Sequence, residues 1–353
     1  LKALLVGPRG PGSPWVWTVV TFAFVAATLF GPKLVYRAVE RTTGALVVVI
    51  TAGLLFIAFT VGDGGDWIEL GRGVAAFPYK HPEMPAYELF SAMVFAGAGG
   101  TANLFYSFYL RDKGWGMGAR VAKIVNPLRG QEEAAVGSGF TPRPTEPNLR
   151  RWHAWFRHTQ RDQIVFFWML NTFTILLFIF GSLAVLRAEG LVPDQEMLVW
   201  DEAAILGSVW GPFGRTLFLL IGVACLFSTQ LTLVDGVARS IADIVHNAWP
   251  WSRAWSTSAW YAAAAWAWMI LGCVLTYYYE RLPAFLFLLS AGFFGGIAMA
   301  VYCPLTLLAN QRLLPEPFRP GRIRCWALAA VSLFYGAFAV VSAVVVARRL
   351  VGA

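Results

Sequence analysis

Eight long apolar runs, with almost all charge confined between them, leave this chain few ways to fold. They cover approximately residues 15–36, 44–61, 87–110, 163–186, 216–245, 259–279, 283–308 and 325–346. A hydrocarbon core about 30 Å thick is crossed by about 20 helical residues, and each run is of that order. Lipid offers backbone groups no hydrogen-bond partner, so a crossing segment must be a helix or a strand of a closed barrel. The runs are continuous rather than alternating, which selects helices. The expected fold is all-α, a polytopic membrane protein with about eight transmembrane helices. Composition agrees: 58% of the 353 residues are apolar and 14% charged, against roughly 45–50% and about 25% in soluble domains. An ordinary cytosolic enzyme, a disordered chain, a collagen-like repeat and a disulfide scaffold are all excluded. Cys225, Cys273, Cys303 and Cys325 are widely spaced and read as buried thiols.

A net charge of +8 could suggest nucleic acid, but the placement of the charges explains it as membrane orientation. Of the 28 Lys and Arg residues, 19 fall in alternate connections: Lys33 to Arg41, Arg111 to Arg161, Arg239 to Arg253, and Arg312 to Arg324. Basic residues mark the cytoplasmic side, so these connections face the cytoplasm and no nucleic-acid partner is expected. Acidic residues gather in the opposite set, Asp63 to Glu88 and Glu189 to Glu202. The protein is therefore expected in the bacterial inner (plasma) membrane, with the basic loop 111–162 cytoplasmic and the N-terminus outside. An outside start with Leu1 and no signal peptide reads as a chain lacking upstream helices, an odd number of which would restore a cytoplasmic start. His153 and His158 are five apart and do not share a helix face, which argues against a metal site in the loop.

A spanning helix satisfies its own backbone, so places where it cannot are informative. In the third run, Phe95-Ala96-Gly97-Ala98-Gly99-Gly100-Thr101-Ala102-Asn103 puts three glycines within four residues, each costing about 1 kcal/mol of helix propensity relative to Ala. Two readings stand: a helix break lining a cavity, which the adjacent Asn103 favours, or close packing through small residues. In the fifth run Ser228, Thr232, Asp235, Arg239 and Asp243 form one polar stripe, with Thr229 and Gln230 beside it. Asp235 and Arg239 have the i,i+4 spacing of an ion pair. Gln230 and Asp235 are candidates for a permeation path or its inner gate, or members of a structural pair. Ser290, Gly292, Gly295 and Gly296 in the seventh run suggest a tight packing face, with a gate as the alternative. Asn171, Thr172 and Thr174 in the fourth suggest interhelical hydrogen bonds. No GxSxG, HExxH or P-loop is present, Gly114-Trp115-Gly116-Met117-Gly118 lacks a strand-and-helix context, and no nucleophile has a nearby His. No enzymatic activity is expected.

The order of features resembles the Nramp superfamily of divalent-metal transporters, most closely its Nramp-related magnesium transporter branch. The resemblance is carried by Tyr36-Arg37-Ala38-Val39-Glu40-Arg41, the glycine-rich third run, the stretch Leu226 to Arg239 and Tyr302-Cys303-Pro304-Leu305. It covers nearly the whole chain, as the fourth through eleventh helices of an eleven-helix protein. The resemblance implies an inverted repeat of two five-helix units. Residues 1–86 would be two helices left from the first repeat, 87–309 the second repeat, and 310–353 an additional C-terminal helix.

The family motif Met-Pro-His-Asn, anchored on Asn103, has Gly100, Thr101 and Ala102 in its first three places. Loss of the thioether leaves hard oxygen donors suited to Mg2+ or Mn2+. The resemblance thus implies a metal site at Gly97, Gly100 and Asn103, with Ala96 and Gly99 as alternative backbone ligands and Thr101 beside the path. The family's Asp-Pro-Gly-x-x-Asn motif and its second and third helices are absent. The transported cation is the sole ligand implied besides the lipid bilayer, with no resident cofactor. Two other functions compete: a carrier of amino acids or amines with the same architecture, and a membrane scaffold or embedded enzyme.

Overall fold

The fold was obtained as a computed structural model, which describes residues 1–7, 9–31, 35–76, 86–96, 102–121, 124–125, 141–187, 190, 198–279 and 294–351. Among the described residues 88% are helical and none is in a strand, so the all-α expectation holds. Five helices are long and apolar enough to cross a membrane: Arg37–Val61, Glu146–Arg187, Ala204–Ala248, Thr257–Tyr278 and Arg322–Val341. They correspond to the second, fourth, fifth, sixth and eighth apolar runs. The first run forms a 17-residue helix, Pro14–Phe30. The third is described as two helices, Ala86–Ala96 and Ala102–Lys113, with 97–101 outside the described residues. Of the seventh, 283–293 lies outside them and the remainder belongs to Gly296–Leu313.

In chain order the helices are α1 (Lys2–Val6), α2 (Pro14–Phe30), α3 (Val35–Val61), α4 (Gly64–Ala75), α5 (Ala86–Ala96), α6 (Ala102–Lys113), α7 (Glu146–Asp162), α8 (Asn171–Gly181), α9 (Leu198–Glu202), α10 (Ala204–Ala248), α11 (Thr257–Tyr278), α12 (Gly296–Leu313) and α13 (Arg322–Val351). The connection expected between the third and fourth runs is in part helical: α7 continues through the wider π-helical coil of Gln163–Leu170 into α8, then a second π-helical turn, Ser182–Arg187. Pro147 in its first turn, where a missing N–H costs no helical bond, lets α7 start directly after Thr145.

The chain divides into two compact units. The first comprises Leu1–Lys80, Lys123–Glu132 and Phe166–Arg281. Here α10 packs against both α3 and α11. Its core is built from Leu54 and Ile57 of α3, Leu177 and Phe180 of α8, and Leu206, Phe218 and Ile221 of α10. Small residues set the approach: a Cβ on Gly62 would fall 2.0 Å from the Phe180 ring, which also stacks on Trp67 at 4.0 Å. Asp63 caps α4, its carboxylate accepting from the backbone N–H of Gly65 and Asp66 at 2.8 and 3.1 Å. The turn between α10 and α11 carries an indole cluster. Trp249, Trp251 and Trp255 are 46%, 64% and 54% exposed, and Trp251 and Trp255 pack on Trp260, whose Nε1 donates to the Ser252 carbonyl at 2.8 Å.

The second unit comprises His81–Ala122, Glu133–Val165 and Leu282–Ala353. Its principal pairing is α12 with α13. Gly296 sits against Phe90 of α5 and Ala339 of α13, and a Cβ there would lie 3.0 Å from the Phe90 ring, as the expected packing face implies. Phe90 stacks in parallel on Phe338 at 4.6 Å. Ser332 Oγ donates across to the Ala300 carbonyl at 2.7 Å, and Tyr106 of α6 donates to Asp162 at the end of α7, also at 2.7 Å. Of the four thiols expected to be buried, Cys303 is; Cys225, Cys273 and Cys325 are half-buried, because three of them lie on helix faces that packing only partly covers.

Candidate functional site

The polar stripe of α10 contains the most enclosed charge among the described residues. Asp235 and Arg239 share one face of the helix, one turn apart, and Arg239 Nε donates to Asp235 Oδ2 at 2.8 Å. Tyr261, in the second turn of α11, donates its hydroxyl to the other carboxylate oxygen, Oδ1, at 2.7 Å. The Arg239 guanidinium carbon stands 5.8 Å from the Tyr261 ring centroid. All three residues are fully enclosed. Leu231, Val234, Ala238 and Ala242 of α10 and Ala265 of α11 are buried as well; the three alanines among them let helix backbones approach closely. Phe30 of α2 closes the far side of Tyr261 at 6.3 Å between centroids and stacks on Trp266.

The sequence spacing pointed to the Asp235–Arg239 pair, and the structure forms it. It gave no signal of Tyr261, whose partnership with Asp235 depends on the register between α10 and α11. Each carboxylate oxygen of Asp235 holds a donor, so the carboxylate is satisfied within this unit. A charge taken out of water without such partners would carry a penalty of several kcal/mol.

The rest of the stripe turns its hydroxyls back onto its own helix. Ser228 and Thr229 donate to the Cys225 carbonyl at 2.8 and 3.0 Å, Thr232 to that of Ser228 at 2.9 Å, and Ser240 to that of Gly236 at 2.9 Å. This i−3 and i−4 bonding leaves their oxygen lone pairs as acceptors. Gln230 is half-buried and makes no hydrogen bond among the described residues. In α8, Thr174 donates to the Asn171 carbonyl at 2.9 Å, a bond inside the helix where an interhelical one was expected.

Of the residues tied to the glycine-rich run, Gly97, Gly99, Gly100 and Thr101 lie outside the described residues. Ala96 is the last residue of α5 and exposed, and Asn103 belongs to the first turn of α6. Among the described residues no three His, Cys, Asp or Glu side chains come together as a metal-binding group.

Two features of the first unit escaped sequence reasoning. Within α10, Trp210 and Gly211 leave helical geometry, Gly211 at φ +57° and ψ −138°, ahead of Pro212. The Trp210-Gly211-Pro212 order was the available signal, since glycine takes the left-handed conformation freely and proline cannot continue the preceding turn. Beyond the kink, Arg215 lies over the Trp200 ring, with 4.9 Å between guanidinium carbon and centroid. No family model, curated protein or solved structure matches this chain.

Proposed function

We propose that the protein carries a divalent cation, Mg2+ or Mn2+ in preference to softer transition metals, across a membrane by alternating access around residues 97–103. The observation that carries the reading is the run Gly97-Ala98-Gly99-Gly100-Thr101-Ala102-Asn103, bounded by Ala96 at the end of apolar α5 and continuing into α6. Carbonyl oxygens of Gly97 and Gly100 and the Asn103 amide are hard donors, and glycine leaves room for an ion that keeps part of its hydration shell. Ala96 and Gly99 are the alternative carbonyl donors, and Thr101 flanks the path. The resemblance to Nramp-related magnesium transporters supports the same site and the inverted-repeat architecture. In this reading Gln230 faces the inner path, and Asp235 does so in a state that exchanges its bonds to Arg239 and Tyr261.

Asn103→Leu in the complete protein, reconstituted in proteoliposomes, is expected to abolish Mg2+ or Mn2+ flux. A monodisperse variant with undiminished flux refutes the site. Stabilisation against heat by amino acids or amines, and not by divalent ions, would identify an organic-solute carrier instead. A structural role for the Asp235–Arg239 pair is favoured by its complete enclosure, and flux that survives apolar replacement of both residues would assign them to the scaffold.

A further inference from the structure

Arg215 is half-buried and stands apart from Arg239, the fully enclosed cation of the first unit. Arg239 has a carboxylate; Arg215 has neither a hydrogen bond nor an ion pair among the described residues, and its Nε is shielded from solvent with no acceptor. The guanidinium is nevertheless held. Its carbon lies 4.9 Å from the centroid of the Trp200 ring, and its Nε is 3.5 Å from where a Cβ on Gly207 would be, so it rests between an indole face and bare backbone. A cation–aromatic contact orients a guanidinium but does not neutralise it.

This arginine lines a cavity of about 410 Å3, within the range of small-ligand sites. The kink at Gly211 and Pro212 forms part of the wall, and Leu4 and Leu219 add apolar surface. The kink is what creates the space: an unbroken helix would carry α10 straight past Gly207, whereas the left-handed Gly211 lets the chain bend before Pro212. Residues 207–219 lie at the end of α10 where the apolar run 216–245 begins, the level at which a spanning helix meets lipid headgroups.

We infer that this cavity binds a phosphate oxyanion, with the Arg215 guanidinium as its paired hydrogen-bond donor and Trp200 as the plate that fixes the donor's orientation. A planar fork of N–H groups matches two oxygens of a phosphate, a geometry that an ammonium cannot reproduce. The apolar part of the wall suits a phosphate ester with a hydrocarbon remainder. A phospholipid headgroup and a free phosphate present the same chemistry to the arginine. The site is independent of the proposed cation path, since it is built from α1, α9 and the kinked end of α10.

The test uses the complete protein in two arms. In detergent, the melting temperature is followed by tryptophan fluorescence as inorganic phosphate is titrated against chloride at matched ionic strength. In nanodiscs containing phosphatidylglycerol, the phospholipid molecules retained after release are counted by native mass spectrometry. Wild type is expected to be stabilised by phosphate, or to retain a phospholipid that Arg215→Gln loses. Loss of a charge-assisted pair should weaken phosphate binding about tenfold or more. A response in the first arm alone identifies a free anion; retention in the second identifies a lipid. Arg215→Gln that melts cooperatively and matches wild type in both arms overturns the inference. If Arg215→Gln does not fold, Arg215→Lys serves in its place. It keeps the charge and loses the fork, and binding as tight as wild type would overturn the paired-donor geometry.

Discussion

Removing one charge from the pair enclosed on α10 should cost far more than removing both. Arg239→Met leaves the Asp235 carboxylate, fully enclosed, with a single donor, Tyr261 at 2.7 Å. Asp235→Asn leaves the guanidinium beside a ring 5.8 Å away and an amide in place of its counter-ion. Breaking a buried ion pair from one side costs about 3–5 kcal/mol, whereas replacing the whole pair with uncharged residues of similar volume is often neutral. In the double variant Tyr261 can still donate to the Asn amide oxygen, so neither helix keeps an orphaned charge. The single changes therefore sum to about 6–10 kcal/mol, and the double variant should lie within about 2 kcal/mol of wild type. Tyr261→Phe, which removes the interhelical bond and no charge, should cost about 0.6–1.7 kcal/mol, the range found for such bonds between membrane helices. Unfolding free energies from sodium dodecyl sulfate titration in mixed micelles supply the four corners of the cycle. A double variant as unstable as the two singles added together would refute the reasoning, because it would mean that the two charges do not compensate one another.

Two further outcomes test other parts of the fold. Gly62→Ala should destabilise the first unit by about 1–3 kcal/mol, the usual cost of overpacking, since the new methyl falls 2.0 Å from a Phe180 ring already stacked on Trp67; the same titration measures it, and an unchanged midpoint would contradict the packing. Burial pushes the Glu202 carboxyl, at the end of α9, above its ordinary 4.5. The folded state then holds a proton that the unfolded chain releases, so this group's contribution is fullest below about 4.5 and falls away as pH rises through the raised value. Glu202→Gln should therefore gain stability relative to wild type between pH 4 and pH 7, and parallel melting curves across that range would count against the burial.

Most of the architecture was legible because hydrophobic run length is a one-dimensional signal. The runs at 44–61, 163–186 and 216–245 sit inside span-length helices, and those at 259–279 and 325–346 largely coincide with two more. What the runs could not show was where helices continue beyond the bilayer. Residues 146–162 are polar and contain Pro147, which reads as loop, yet that proline occupies the first turn, where it is harmless. At the candidate site, i,i+4 spacing exposed Asp235 and Arg239 because both belong to one helix. Tyr261 was invisible because no periodicity within α11 reports which residue of α10 it will face. Arg215 did not stand out in the sequence, because its place over Trp200 depends on a backbone bend at Gly211 that composition alone does not locate. The glycine-rich run was the clearest sequence irregularity and lies largely outside the described residues.

The indole cluster at Trp249, Trp251 and Trp255 marks one end of the helix pair that holds the buried charges. Such rings settle among the lipid headgroups, and Asp235 lies about 21 Å further along α10 at 1.5 Å per residue, with Arg239 one turn nearer. Both charges are fully enclosed, so neither side chain is solvated by water. Their solvation falls to protein groups, and a slide of α10 against α11 would part Asp235 from Tyr261 and leave a formal charge one donor short.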